Sequence, residues 1–307
     1  MLLNASGCLD ALTAPEVARE LDAFVTKTVT PQPREGNEPV RIAETDVGML
    51  NAIGLANPGI ERFVAQTLPQ LAGLGVPIWV SVGGFSTGDY AETCERLDGE
   101  EIAAIELNLS CPNIDEVPES ISETVAAARA TTTKPLYAKL SPAVADVAET
   151  ARAAEAAGAD GLSLVNTIRG LALDERTLRP VLARGVGGLS GPALRPVALA
   201  AVHACRRATD LPIVGMGGVA TGRHVLELLA AGASDVALGT VLFADPGAPR
   251  RIRAELEGEL AGLGFVDPDN AVGLAHGADL STLDSKSRLD LPGDSGKSLH
   301  KGLNAAG

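Results

Sequence analysis

Lysine is scarce in this 307-residue chain: six residues, at positions 27, 134, 139, 286, 297 and 301, against 19 arginines. Basic charge as a whole is short, 25 Lys and Arg against 39 Asp and Glu, for a net charge of −14. That excludes a nucleic-acid-binding protein, which needs a basic footprint. The four cysteines (8, 94, 111, 205) form no C-x-x-C pair and no cluster, which argues against a disulfide scaffold or a zinc ribbon. No run of 18 apolar residues occurs, so no membrane span is expected. The start, MLLNASGCLDA, lacks the basic head and long apolar stretch of a secretory signal, and a cytosolic location is expected. There is no H-E-x-x-H, and the four histidines (203, 224, 276, 300) fall on predicted helices or in the tail. Metal catalysis and histidine-based nucleophilic chemistry are both disfavoured. Aromatic residues amount to only 3%. An acidic, lysine-poor, aromatic-poor chain fits a high-salt cytoplasm, where a hydrated acidic surface preserves solubility. A GC-rich genome, favouring Arg and Ala, gives the same bias.

What is present is an alternation. The apolar share of 46% is ample for a full core. Short apolar strands are predicted to begin near Leu2, Ala23, Ile78, Ile105, Leu136, Leu162, Ile213 and Val236. Ala- and Glu-rich helical segments, such as 144–158 and 192–207, lie between most of them. Several close on glycine (Gly75, Gly158, Gly232), as the left-handed helix C-cap requires. Strands joined by helices pair in parallel through right-handed crossovers, and eight of them close a barrel. The expected fold is a single α/β domain, a (β/α)8 TIM barrel over residues 1–270. An open doubly wound sheet is the alternative, but no G-x-G-x-x-G follows the first strand. Residues 29–57 and 168–191 interrupt the rhythm as long, loop-rich stretches expected on the C-terminal rim, where barrel active sites are built. Residues 271–307 are polar and rich in Gly and Ser, and a loosely ordered tail is expected there.

Three of the six lysines lie in that tail, so the barrel keeps only Lys27, Lys134 and Lys139. Lys27 and Lys139 stand near predicted strand ends. They read either as snorkelling rim residues or as a pair of cations for an anionic ligand. GMGGV (Gly215–Val219) and ALGT (Ala237–Thr240) end the seventh and eighth strands, where barrels often bind phosphate through backbone N–H groups. GGLSGPAL (Gly187–Leu194) adds a flexible run opening a helix. Ser6, Thr28, Asn51, Ser81, Asn108, Asn166 and Thr167 complete a polar rim suited to a planar ligand rich in carbonyl and N–H groups. Carboxylates are missing from these strand ends apart from Glu106, which is mid-strand, and that disfavours a two-carboxylate glycosidase. In ELNLSCPN (Glu106–Asn113) an apolar strand runs into amides, a hydroxyl and the thiol of Cys111, held by Pro112. A lone cysteine is most often an inert buried hydrophobe, the reading kept for Cys8, Cys94 and Cys205. Cys111 is instead placed where side chains are aimed at a ligand.

ELNLSCPN, NAIGLANPG (Asn51–Gly59), KLSP (Lys139–Pro142), VNT (Val165–Thr167), GGLSGPAL, GMGGV and LGT together resemble the motifs of class 1 dihydroorotate dehydrogenases over residues 4–255. NAIGLANPG with NTIRGLAL (Asn166–Leu173) and GGLSGPAL resembles the class 1B, NAD-linked branch. The resemblance implies a flavin enzyme of pyrimidine synthesis that oxidises dihydroorotate to orotate. It implies FMN across the barrel mouth, its phosphate held by Gly191, Gly217, Gly218, Gly239 and Thr240. The rest of the cofactor would meet Ser6, Lys27, Thr28, Ser81, Asn108, Lys139 and Val165. Orotate would be bound by Lys27, the loop Asn51, Ala52, Ile53, Gly54 and Leu55, and by Asn108, Asn166 and Thr167. Cys111 would remove a proton from C5 as hydride leaves C6 for the flavin N5. Such a thiol, with an ordinary pKa of about 8.5, needs partial ionisation to act as a base. Lys139 would stabilise negative charge growing on the flavin.

The family usually has an N-terminal hairpin under the barrel, whereas this sequence begins almost directly in strand one. Either its start is misassigned or the barrel manages without the hairpin. The family also commonly has Asn where Ser81 stands. Class 1B enzymes work with a separate electron-transfer subunit carrying FAD and a 2Fe-2S cluster. No four-cysteine cluster set or dinucleotide fingerprint serves those groups in this chain, so they are expected on the partner, around a homodimeric core. Still open are a fumarate-linked class 1A-like enzyme, a dihydropyrimidine-type relative, a non-redox barrel lyase or isomerase acting on a phosphorylated substrate, and a catalytically inactive flavoprotein.

Overall fold

The computed structural model describes residues 1–109 and 120–277. Twelve strands occur in chain order among them: β1 (Leu2–Asn4), β2 (Phe24–Val25), β3 (Ile42–Thr45), β4 (Gly48–Asn51), β5 (Ile78–Val82), β6 (Ala104–Asn108), β7 (Leu136–Leu140), β8 (Gly161–Leu164), β9 (Ile168–Leu171), β10 (Val186–Ser190), β11 (Ile213–Met216) and β12 (Asp235–Leu238). Eight of them form one parallel sheet in the order β1-β12-β11-β8-β7-β6-β5-β2. A single parallel bridge, Leu3 to Ala23, brings the two end strands together. The eight predicted strands are these eight, and the barrel architecture expected from their number is the one observed.

The seam between β1 and β2 is short, and a side chain completes it. Asn4, fully buried, donates from Nδ2 to the Val25 carbonyl at 2.7 Å and accepts from the Val25 N–H at 2.8 Å. Its amide thus substitutes for a ladder rung where the two-residue β2 offers few.

Inside the barrel, Leu3, Val25, Trp79, Val214 and Met216 form an inner layer. Trp79 and Tyr137 contribute its largest rings, their centroids 4.4 Å apart. The outer core lies between strands and helices and is almost wholly aliphatic. Helices start where the polar residues dictate. Ser86, Ser120, Asp146 and Thr221 each cap an N-terminus by accepting from backbone N–H groups, a contribution of about 1 kcal/mol apiece. Gly75, Gly158 and Gly232 take positive φ beyond helix ends, as their positions predict.

The two stretches read as loops are the main departure. They pair with each other as an antiparallel sheet, β3-β4-β10-β9, with Asn51 opposite Gly188. Their strands are only four or five residues long and partly exposed on both faces, so they carry no clean alternation. At the other end of the chain, short turns at Pro268–Ala271 and Leu274–His276 extend the packed surface past residue 270. Ala271 is fully buried there. The remainder of the predicted tail, from 278, lies outside the described residues. Among the described residues, no helix is long and apolar enough to cross a membrane.

Candidate active site

The C-terminal ends of the barrel strands and the covering sheet enclose a cleft of about 1150 Å³, counting its open mouth. Its walls explain themselves strand by strand. Beyond β1 come Ser6 and Gly7, and beyond β2 come Lys27 and Thr28. Asn108 ends β6, Lys139 sits near the end of β7, and Val165, Asn166 and Thr167 follow β8. Gly217 and Gly218 follow β11, and Gly239 and Thr240 follow β12. The covering sheet and its flanks add Asn51, Ile53, Gly54, Leu55 and Gly191.

One hydrogen-bonded chain ties the far wall together. The hydroxyls of Ser81 and Thr28 lie 3.0 Å apart, and Asn108 Nδ2 donates to Thr28 Oγ1 at 3.2 Å. Asn166 Nδ2 donates to Asn108 Oδ1 at 3.0 Å, while Asn166 Oδ1 accepts from the Thr167 N–H at 2.8 Å. Below, Tyr90 donates its phenolic hydrogen to the Asn108 carbonyl at 2.8 Å. These amides are fixed in orientation, which suits recognition of a ring with alternating C=O and N–H groups.

The charge pattern is the reverse of the chain's. Among the described residues lining the cleft none is acidic, and two are lysines, in a protein of net charge −14. Lys139 is nearly buried; its ammonium donates to Ser6 Oγ at 2.8 Å and lies 3.4 Å from Glu106 Oε1. Lys27 runs across Gly7, where a Cβ would come within 2.8 Å of its Cδ.

Beyond β10 and β11 the backbone is bare of side chains at three glycines, Gly191, Gly217 and Gly218. Gly217 and Gly218 hold φ of +133° and +69°, and a Cβ on Gly218 would lie 2.8 Å from the Gly191 carbonyl oxygen. Only glycine fits such a cradle. Thr240 Oγ1 donates to Ser190 Oγ at 2.8 Å, joining this edge to the covering sheet. A phosphate-bearing cofactor fits a bare main-chain edge of this kind.

Two expected site residues stand back from the cleft. Ser81 is fully buried and reaches it only through Thr28, because its side chain lies one layer below the strand end. Ala52 is turned into a small cluster with Leu50 and Leu182. Its carbonyl accepts from Asn37 Nδ2, so it shapes the 51–55 loop from behind. Within that loop Leu55 adopts φ +58°, a strained conformation for leucine, and Asn57 Nδ2 donates to its carbonyl at 2.7 Å. Cys111 lies outside the described residues.

Sequence reasoning missed several wall residues. Cys8, taken as inert, lines the cleft; burial pushes its thiol up, against the opposing pull of Lys139 and Lys27. Its position two residues after Ser6 was the available signal. Met49, Ile42, Ser190 and Phe243 also line it. Glu106, set aside as mid-strand, proves to be the buried partner of Lys139. Cys94 and Cys205 are fully buried and burial pushes both thiols up to about 12, in keeping with inert cysteines.

A parallel eight-stranded barrel with a cationic, amide-lined cleft and a glycine edge at its C-terminal mouth defines a TIM-barrel site built for a polar, anionic ligand. The sequence model of the dihydroorotate dehydrogenase family matches residues 1–260, and the chain belongs to that family. It is 46% identical over 275 residues to the catalytic subunit of dihydroorotate dehydrogenase B (NAD(+)) of Listeria monocytogenes serotype 4a, an alignment covering 86% of this chain and 90% of the relative. It is 47% identical over 244 residues to a Solibacter usitatus protein provisionally named dihydroorotate dehydrogenase A (fumarate), covering 77% and 80%. In fold it matches a ligand-free dihydroorotate dehydrogenase crystal structure from Eimeria tenella, with a TM-score of 0.76 at 22% identity over 90% of this chain and 89% of that one.

Proposed function

We propose that this chain is the catalytic subunit of an NAD-linked dihydroorotate dehydrogenase, oxidising dihydroorotate to orotate in pyrimidine biosynthesis. The observation that carries the reading is the convergence of Lys27, Asn108 and Asn166 on one cleft beside a side-chain-free glycine edge.

Bound FMN supplies the two-electron hydride acceptor. Gly191, Gly217, Gly218, Gly239 and Thr240 would hold its phosphate, and Ser6, Thr28, Lys139 and Val165 would contact the remainder, with Ser81 acting through Thr28. The substrate carboxylate is met by the Lys27 ammonium. Asn108, Asn166, Thr167 and the 51–55 loop read the ring by hydrogen bonds. Cys111 would act as the base that takes the proton from C5 of the substrate. Lys139 offers positive charge where negative charge grows.

A separate subunit bearing FAD and a 2Fe-2S cluster would carry the electrons onward, docked on a proposed homodimer of this chain. The name of the Listeria relative, a catalytic subunit, supports such a partner. The surroundings proposed are a cytoplasm, and the acidic, lysine-poor composition favours a saline one. A fumarate-linked enzyme is the second reading, favoured by the Solibacter relative's name. Assaying dihydroorotate oxidation with NAD or fumarate, with and without the partner subunit, separates the two. NAD reduction that requires the partner is expected; partner-independent fumarate reduction would move the chain to the other branch.

A further inference from the structure

We propose that Glu106 is a positioning residue that sets, through Lys139, the charge presented at the floor of the cleft; the proposal rests on the flavin reading above. The geometry is unusual in one respect. In the strand order of the barrel, β7 and β1 stand four strands apart in either direction, so they face each other across the interior. Lys139 leaves β7 and its ammonium is bonded to Ser6 Oγ, just beyond β1, at 2.8 Å. The side chain therefore points across the interior, and its charge lies at the floor of the cleft.

A long, flexible lysine held in that position needs a second anchor, and Glu106 supplies it. β6 is the neighbour of β7, with Asn108 opposite Lys139 in register. Glu106 thus sits one inward-facing position below, its carboxylate 3.4 Å from the ammonium and its side chain 2% exposed. It does not line the cleft, so it meets neither substrate nor cofactor. The surrounding layer is polar: Ser163, opposite Lys139 on β8, is fully buried, and its hydroxyl has no partner. A carboxylate is costly in such a place unless it serves its cation. Here it offsets the charge of Lys139, one of the two lysines lining the cleft, and fixes where that ammonium sits.

The test uses the flavin-loaded chain. Replacing Glu106 by Gln keeps the shape and removes the charge. The equilibrium for reduction of bound FMN is expected to shift about tenfold toward the reduced form, which is about 30 mV for a two-electron couple. Glu106→Asp, which keeps the charge, stays near wild type. In a Lys139→Met background Glu106→Gln causes no further shift. An unchanged potential in Glu106→Gln, or an equal shift in both backgrounds, overturns the proposal. A second readout needs no flavin. With only six lysines in the chain, the Lys139 ammonium signal can be assigned by NMR against Lys139→Met. It is expected to be ordered in wild type and Glu106→Asp and lost in Glu106→Gln; identical signals in wild type and Glu106→Gln sink the positioning role. Colourless wild-type protein would instead sink the flavin reading and leave the NMR comparison to decide this one.

Discussion

Asn166 and Asn108, 58 residues apart in sequence, share a side-chain hydrogen bond of 3.0 Å at the cleft wall. Each amide is held from a second side as well, Asn108 by Thr28 and Asn166 by the Thr167 N–H. Neither is free to turn, so a ligand meets donors and acceptors already in place. Asn108→Ala removes one member, so Asn166 Nδ2 loses its acceptor and Thr28 Oγ1 loses a donor. An unmade buried bond costs about 1–3 kcal/mol, so kcat/KM for dihydroorotate is expected to fall by about 10- to 100-fold. Steady-state kinetics check this; a change below twofold would mean the amide does not face substrate.

Gly7→Ala acts on Lys27 without touching its charge. The residue holds φ +77°, and the new Cβ would come within 2.8 Å of Lys27 Cδ. The lysine must shift, and orotate affinity is expected to drop about tenfold, or about 1.4 kcal/mol. Strain at positive φ adds a stability loss of about 1 kcal/mol. Orotate titration and thermal melts of the same preparation separate the two effects.

Gly218→Ala targets the cofactor edge. A Cβ there meets the Gly191 carbonyl oxygen at 2.8 Å and the Arg195 N–H nitrogen at 3.0 Å. Neither backbone group can give way cheaply. FMN affinity is expected to fall by about two orders of magnitude, roughly 2.7 kcal/mol, read as flavin lost on dialysis. Full retention of colour would place the phosphate elsewhere.

Much of this architecture is legible in the amino-acid order, and the reason is burial. Strands such as Ile213–Met216 are covered on both faces and so read as unbroken apolar runs. The glycine caps at 75, 158 and 232 mark helix ends for local reasons. The covering sheet is not legible, because Asn51 finds Gly188 only through a contact 137 residues long. Ile42 and Leu171, half exposed on its strands, give no face to follow. The site shows the same division. Lys27 and Lys139 stand out by scarcity, whereas Glu106 looks like an ordinary mid-strand residue until the lysine ammonium is seen beside its carboxylate. Ser81 and Ala52 lie in motifs that point at the cleft, yet their own side chains sit behind Thr28 and within the loop's small core.

Acid should loosen the last described turn. His203 and His276 stack with centroids 4.1 Å apart, and His276 Nε2 lies 2.8 Å from the Ala231 carbonyl. Burial holds His203 below the ordinary histidine value, with His276 and Arg207 adding repulsion. A histidine lowered in the folded state favours the neutral form. Its contribution is complete above the unfolded value, about 6.5, and is lost as pH falls from there through the lowered folded value. The melting temperature is expected to decline between about pH 7 and 5, with a shallower decline in His203→Gln. Equal slopes in the two proteins would remove the stack from the cause.

The most direct test of the assigned chemistry is anaerobic stopped-flow mixing of dihydroorotate with the purified, flavin-bearing chain, wild type beside Cys111→Ala. The expected result is rapid loss of visible flavin absorbance in wild type and a slowing of about 10²-fold or more in the variant. Flavin that stays oxidised in wild type would contradict the dihydroorotate oxidation proposed for this chain, and equal rates would remove Cys111 as the base.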